Sequence, residues 1–203
     1  MKKTIKKTIT AMMCAAGLTF GSVAQAEECT DELGTIVTEL VELNESGVTA
    51  GEFDFLIGAV TATIGSSNLF DVLTNEDRTV TLFAPNDQAF LNTAVALQEA
   101  GILDLTGVDT SNTMEVVNAL AGALTLNGVI EVLAYHVSYG ERTSKYVVKR
   151  DGKTIRMANK EFVNVNGLSI NDSPLDLGYI DIPACNGVIH VITEGVLIPD
   201  LSN

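Results

Sequence analysis

This chain of 203 residues has no tryptophan, two histidines and 5 % aromatic residues. So little histidine leaves few ways to build a catalytic or metal centre. His136 and His190 have no second histidine at His-x-x-x-His spacing and no Cys-x-x-Cys occurs, so zinc-type sites lack their ligand sets. There is no G-x-S-x-G elbow to present a nucleophilic serine. Gly58, Gly65 and Gly122 stand alone, which excludes a glycine-rich phosphate cradle. Cations are scarce as well, 12 Lys+Arg against 26 Asp+Glu. A surface of that balance repels phosphate backbones and disfavours anionic lipid, so nucleic acid is not expected as a partner. The acids themselves fit a solvated surface, a saline habitat or a surface that attracts cations. No repeat or low-complexity tract is present.

What is present begins with a targeting segment. Lys2, Lys3, Lys6 and Lys7 form a positive n-region, residues 9–23 are apolar, and Ala24-Gln25-Ala26 supplies a small-x-small cleavage pattern. We read residues 1–26 as a bacterial-type Sec signal cut after Ala26. An amphipathic N-terminal helix is the rival reading, although no acid occurs before Glu27. A lipoprotein signal is another, but Met13 before Cys14 is not the small residue it requires. Cleavage removes four Lys and no acid, leaving a net charge of −18 over 177 residues. No second apolar stretch is read as membrane-spanning and the chain stops at Asn203. The expected product is therefore soluble, periplasmic or extracellular, with no transmembrane anchor.

Two cysteines survive cleavage, Cys29 and Cys185. In an exported protein they read as one disulfide, closing a long loop worth roughly 5 kcal/mol in the chain-entropy treatment. The alternative is two separate thiols.

Apolar spacing predicts helices over residues 31–43, capped by Thr30, then 52–64 and 68–73. A strand is expected over 79–84, stopped by Pro85, and then a helix over 88–100 capped by Asn86 or Asp87. Residues 105–113 read as a polar loop, 114–124 as a helix, and 129–137 as a helix running into a strand. Thereafter short strands are expected over 146–149, 154–158, 161–164, 168–170, 179–182, 188–192 and 196–198, with a polar turn over 171–176. Helices first and strands last indicate an α+β fold.

Three ordered segments carry a resemblance. Residues 81–90 read TLFAPNDQAF, with Thr81, Phe83, Pro85, Asp87 and Phe90. Tyr135-His136 lies in VLAYHVSYG. Residues 186–199 read NGVIHVITEGVLIP, with Asn186, Gly187 and His190. In order and rough spacing these resemble the fasciclin-type (FAS1) domain over residues 52–199, with a helical leader over 27–51 and a tail over 200–203. The resemblance implies a compact wedge of two small sheets flanked by helices, and an adhesion or interaction module outside the cytoplasm rather than an enzyme. Asn86 stands where Thr is common. Thr193-Glu194-Gly195 suggests a bulge in a last hairpin, and the stretch around 105–124 reads as a local insertion.

The same resemblance assigns partner recognition to Tyr135 and His136 with flanking Leu133 and Val137, and to Asp181-Ile182. Both histidines sit in apolar runs, so each reads either as a hydrogen-bonded core residue or as part of a catalytic group. His136 is expected to bond the Asn86-Asp87 turn. Asn171, Asp172, Ser173 and Asp176, like Asp104, Asp109 and Asn112, offer oxygens without calcium-loop spacing and read as turns. No metal or cofactor is expected. The expected function is an exported interaction protein binding a protein or polysaccharide at a cell surface or envelope, oligomeric state open. The alternative is a carrier holding a small apolar ligand or lipid in a helix-sheet groove.

Overall fold

The computed structural model describes residues 33–199. The expected signal and its cleavage site, Cys29, the expected Thr30 cap and the tail 200–203 lie outside the described residues.

Three short helices come first: α1 (Ile36–Glu45), α2 (Asp54–Ala62) and α3 (Leu69–Thr74). α1 begins later than its spacing predicts, because residue 35 is still extended. The backbone N–H of Ile36 is satisfied from afar, by the Asn186 side chain at 2.8 Å. Strand β1 (Val80–Pro85) follows and is buried throughout. Pro85 does not stop it but closes it, opposite Ile192. Asn86 caps α4 (Asp87–Glu99) by accepting from the Ala89 amide at 3.0 Å. Asp87 is released from that task and accepts instead from the Phe55 amide, at 3.0 Å, tying α4 to α2.

α5 (Thr113–Ala134) is two helices joined at a break, Thr125, whose φ of 62° and ψ of 162° are not helical. By length and composition residues 115–134 are apolar enough to cross a membrane, contrary to the expectation that no such stretch follows the signal. The break leaves two helices each too short to span a bilayer. Val116, Val117, Val129 and Leu133 are packed in the protein's main core.

Two four-stranded sheets complete a mixed α+β architecture. The first has the order β2-β1-β8-β7, from β2 (Val137–Tyr139), β7 (Ile182–Ala184) and β8 (Gly187–Ile192) around β1. Its central pair is parallel, with Val80 opposite Gly187 through Pro85 opposite Ile192. Gly187 is required there: with φ at 148°, a Cβ would stand 1.7 Å from the Val80 carbonyl oxygen. The second sheet is an antiparallel meander of β3 (Thr154–Arg156), β4 (Phe162–Asn166), β5 (Ser169–Ile170) and β6 (Ser173–Pro174). One bridge, between Leu175 and Ile192, links the two sheets.

Several expectations fail here, among them the strand over 179–182, which begins only at Ile182 as β7. Residues 146–149 belong to a helix, α6 (Ser144–Val148), not a strand. Its β-branched residues suggested a strand, but only Val147 turns to the core, while Tyr146 lies between Arg142 and Arg150 at helical spacing. Residues 196–198 form no strand. Their amides are taken by side chains, Val196 by Thr93 Oγ1 and Leu197 by His136 Nε2, both at 2.9 Å. There is consequently no last hairpin to bulge at residues 193–195. Part of the expected 171–176 turn is the short strand β6.

Candidate functional site

The Tyr-His segment enters at the end of α5, where the chain passes into β2. Tyr135 and His136 are buried, as are Leu133 and Val137. The Tyr135 hydroxyl donates to the Phe162 carbonyl at 2.9 Å and receives the Asn171 side-chain amide at 3.3 Å. It therefore ties α5 to the second sheet.

His136 bonds nothing in the Asn86-Asp87 turn. Its Nδ1 lies 2.7 Å from the Val132 carbonyl, which can only accept, and its Nε2 accepts the Leu197 amide. The ring is a neutral Nδ1–H tautomer joining α5 to the C-terminal segment. Burial pushes its pKa down to about 4, against the raising effect of the Val132 carbonyl. Direct contact of these four side chains with a partner would require the segment to open.

His190, in β8, holds the opposite tautomer. Nδ1 accepts the Asp181 amide at 3.2 Å, so Nε2–H donates to the Arg142 carbonyl at 2.8 Å. Burial lowers its pKa, opposed by the Arg142 carbonyl and Asp181. Its ring stacks on Phe83 with centroids 5.6 Å apart. Among the described residues neither ring is hydrogen-bonded to a hydroxyl. The nearest triad-like set, Ser144, His190 and Asp181, is wired wrongly for nucleophile activation: Ser144 Oγ donates to Asp181, not to the imidazole.

Asp181 is the member of this group that reaches water, with its side chain 40 % exposed. Its backbone is left-handed, φ 56°, which turns the carboxylate back toward the start of α6. There it accepts from the Ser144 amide at 2.7 Å and from the Ser144 hydroxyl. Partial burial pushes its pKa up, but these bonds, with His190 and Lys145 nearby, hold it below the usual carboxylate value. Ile182 follows on the edge strand β7, opposite Ile189. Asp181 lines an open cleft with Glu141, Thr143, Pro183 and Val188.

The other motif residues support this arrangement. Thr81 Oγ1 donates to the Gly140 carbonyl and accepts the Arg142 amide, both at 2.8 Å, shaping the loop before α6. Asn186 accepts from Ile36 and donates to the Leu73 and Asn75 carbonyls, pinning the N-terminal helices to β8. Phe90 stacks on Phe55, with ring centroids 5.8 Å apart. Asp87, half-buried, has its pKa pushed up to about 6 by burial, with Asp54 and Glu52 adding to the rise and the Phe55 amide opposing it. Cys185 is buried and disulfide-bonded; Cys29, its expected partner, lies outside the described residues.

An apolar cleft lies elsewhere, between α2, α4, both halves of α5 and the C-terminal segment. Its free volume is about 40 Å³, among Phe90, Leu97, Val117, Leu120, Leu124 and Val129. Its one side-chain hydroxyl, Thr93, accepts the Val196 amide. Sequence reasoning missed this cleft and Thr93, since neither has a local signature. Among the described residues no group of three His, Cys, Asp or Glu converges to hold a metal ion.

The family of the fasciclin domain matches residues 55–199. No curated protein matches the chain. Among solved structures, a FAS1 domain pair from the insect cell adhesion molecule Fasciclin I is similar. It shares 16 % identity at a TM-score of 0.51, over 82 % of this chain and 51 % of that one. The chain thus spans about half the length of that structure, and at this identity the likeness is one of fold.

Proposed function

This chain belongs to the fasciclin domain family, and on that premise we propose that it is an exported, non-catalytic interaction protein, binding a protein or polysaccharide at a cell surface or envelope. The family is associated with cell adhesion and is generally non-catalytic. Export rests on the Lys-rich n-region, the apolar stretch and the Ala-Gln-Ala pattern ahead of residue 27.

The observation that carries the reading is Asp181: an ionised, accessible carboxylate held in fixed geometry beside Ile182 on a sheet edge. It is suited to meeting a partner's cation with little ordering penalty. Asp181→Asn keeps one acceptor oxygen for the Ser144 amide and tolerates the left-handed backbone while removing the charge. Labelled chain should bind intact cells or envelope extract saturably, and the variant should bind about five-fold or more weakly with an unchanged circular dichroism spectrum. Equal binding by the two removes Asp181 from the interface. Absence of saturable binding to every fraction sinks the interaction reading.

The apolar cleft gives a second reading, carriage of a small apolar molecule that would enter by parting the walls of a space of about 40 Å³. Its lining leaves no polar group to satisfy, and α5 leaves part of its apolar surface uncovered, including Leu126. Native purification, solvent extraction and mass spectrometry should then recover an apolar compound near equimolar with protein. Empty protein that also fails to bind an apolar fluorophore would dismiss this reading.

A further inference from the structure

The net charge hides where the cations are. Of the 12 Lys+Arg, seven fall between residues 142 and 160, a stretch holding one acid, Asp151. Beyond the signal, the rest of the chain has a single cation, Arg78. A strongly acidic protein therefore carries one segment with a net charge of +6.

The fold displays these cations. Arg142 and Arg150 lie over Tyr146, at 4.6 and 5.2 Å from its ring centroid, and Arg150 Nε donates to the tyrosine hydroxyl. Lys145 and Lys149 occupy the neighbouring helical row and are exposed. Lys153 follows in the turn, and Arg156 projects from β3 opposite Phe162, whose ring is 57 % exposed. Lys160 is exposed at the tip of the β3–β4 hairpin. Among the described residues none of the seven lies within 4.0 Å of a carboxylate; Asp151 is occupied by the Gly167 amide. Val147 of α6 packs with Ile155 and Val163 on the inner side of the second sheet, whereas Arg156 and Phe162 face out. The cations thus form a band that passes around the edge of that sheet.

We propose that this band binds an anionic polysaccharide, a partner class that rests on the interaction reading above. A flexible chain can follow a band around an edge, which a flat protein face cannot. At physiological salt the Debye length is about 8 Å, so a bound polymer senses the band and the few acids beside it, Glu141, Glu161 and Asp181, rather than the rest of the acidic surface. A polymer with one anion per sugar also meets less repulsion from that remainder than the denser phosphates of a nucleic acid. Phe162 beside Arg156 offers a flat apolar surface against which a sugar ring can lie.

The test measures binding of fluorescent polyuronate and dextran sulfate to the chain, with neutral dextran and duplex DNA alongside. Saturable binding to either anionic polysaccharide is expected, weakening as salt is raised. The triple variant K145E/K149E/K153E, all exposed positions, should bind about ten-fold or more weakly, while Arg78→Glu should be unchanged. Polyuronate or dextran sulfate as the tighter ligand identifies carboxylate or sulfate as the anion. No binding to either, binding insensitive to salt, equal loss in Arg78→Glu, or preference for DNA overturns the proposal. Should the triple variant still bind cells or envelope extract like the wild type, the interaction reading survives and this inference alone fails.

Discussion

Both nitrogens of His136 are committed, one donating to Val132 and one accepting from Leu197, so a proton added to the ring would break the second bond. Its folded pKa of about 4 lies below the unfolded value of 6.5. The stability it contributes is therefore full above pH 6.5 and is lost as pH falls toward 4. The gap corresponds to about 3 kcal/mol. His190, lowered as well, acts in the same direction. Asp87 opposes them: raised to about 6, it favours the fold below pH 3.8 and loses that contribution as pH rises through 6, but at half burial its share is small. Urea unfolding at a series of pH values should show stability falling from pH 6.5 to 4, and proton NMR should place the His136 titration near 4. Stability rising over that interval would show that the ring is not held as described.

At the scale of elements, the break in α5 invites a direct test. Thr125 occupies φ 62° and ψ 162°, a region that a β-branched residue enters at a penalty of order 1–3 kcal/mol. Thr125→Gly should raise stability by about 1 kcal/mol, although glycine ordinarily weakens a helix. A loss of 1 kcal/mol in denaturant unfolding would mean that α5 is continuous in solution. How far the elements were legible follows the same physics. α2, α3, α4, β1 and β8 were readable because their burial is periodic or complete over a short run. α6 was not, since Tyr-Val-Val has strand propensity and its helix is set by the Arg142–Tyr146–Arg150 stack. The extended stretch at 196–198 looked like a strand because its partners, Thr93 and His136, lie far away in sequence. The same distance hid the true acceptor and donor of His136. The basic band was legible by position but vanished once charges were summed.

For the whole molecule, Cys185 sits beside the start of β8, and its backbone amide donates to the Gly34 carbonyl just before α1. A Cys29–Cys185 bond would fasten the segment before α1 to that strand. Peptide mapping of non-reduced protein should recover that linked pair, and Cys29→Ser with Cys185→Ser should lower stability by up to about 5 kcal/mol. Recovery of both as free thiols would refute it. The parallel pairing of β1 with β8 has a kinetic side. Neither strand has its central partner until residues 187–192 exist, and β7 reaches β1 only through β8. Loop closure over that separation must precede any gain from the pairing, so assembly is slow compared with that of a helical protein of equal size. A growing chain cannot complete its main sheet until residues 187–192 have been synthesised. Until then one edge of β1 has no strand beside it, and the chain lacks the sheet that would resist threading through a narrow channel.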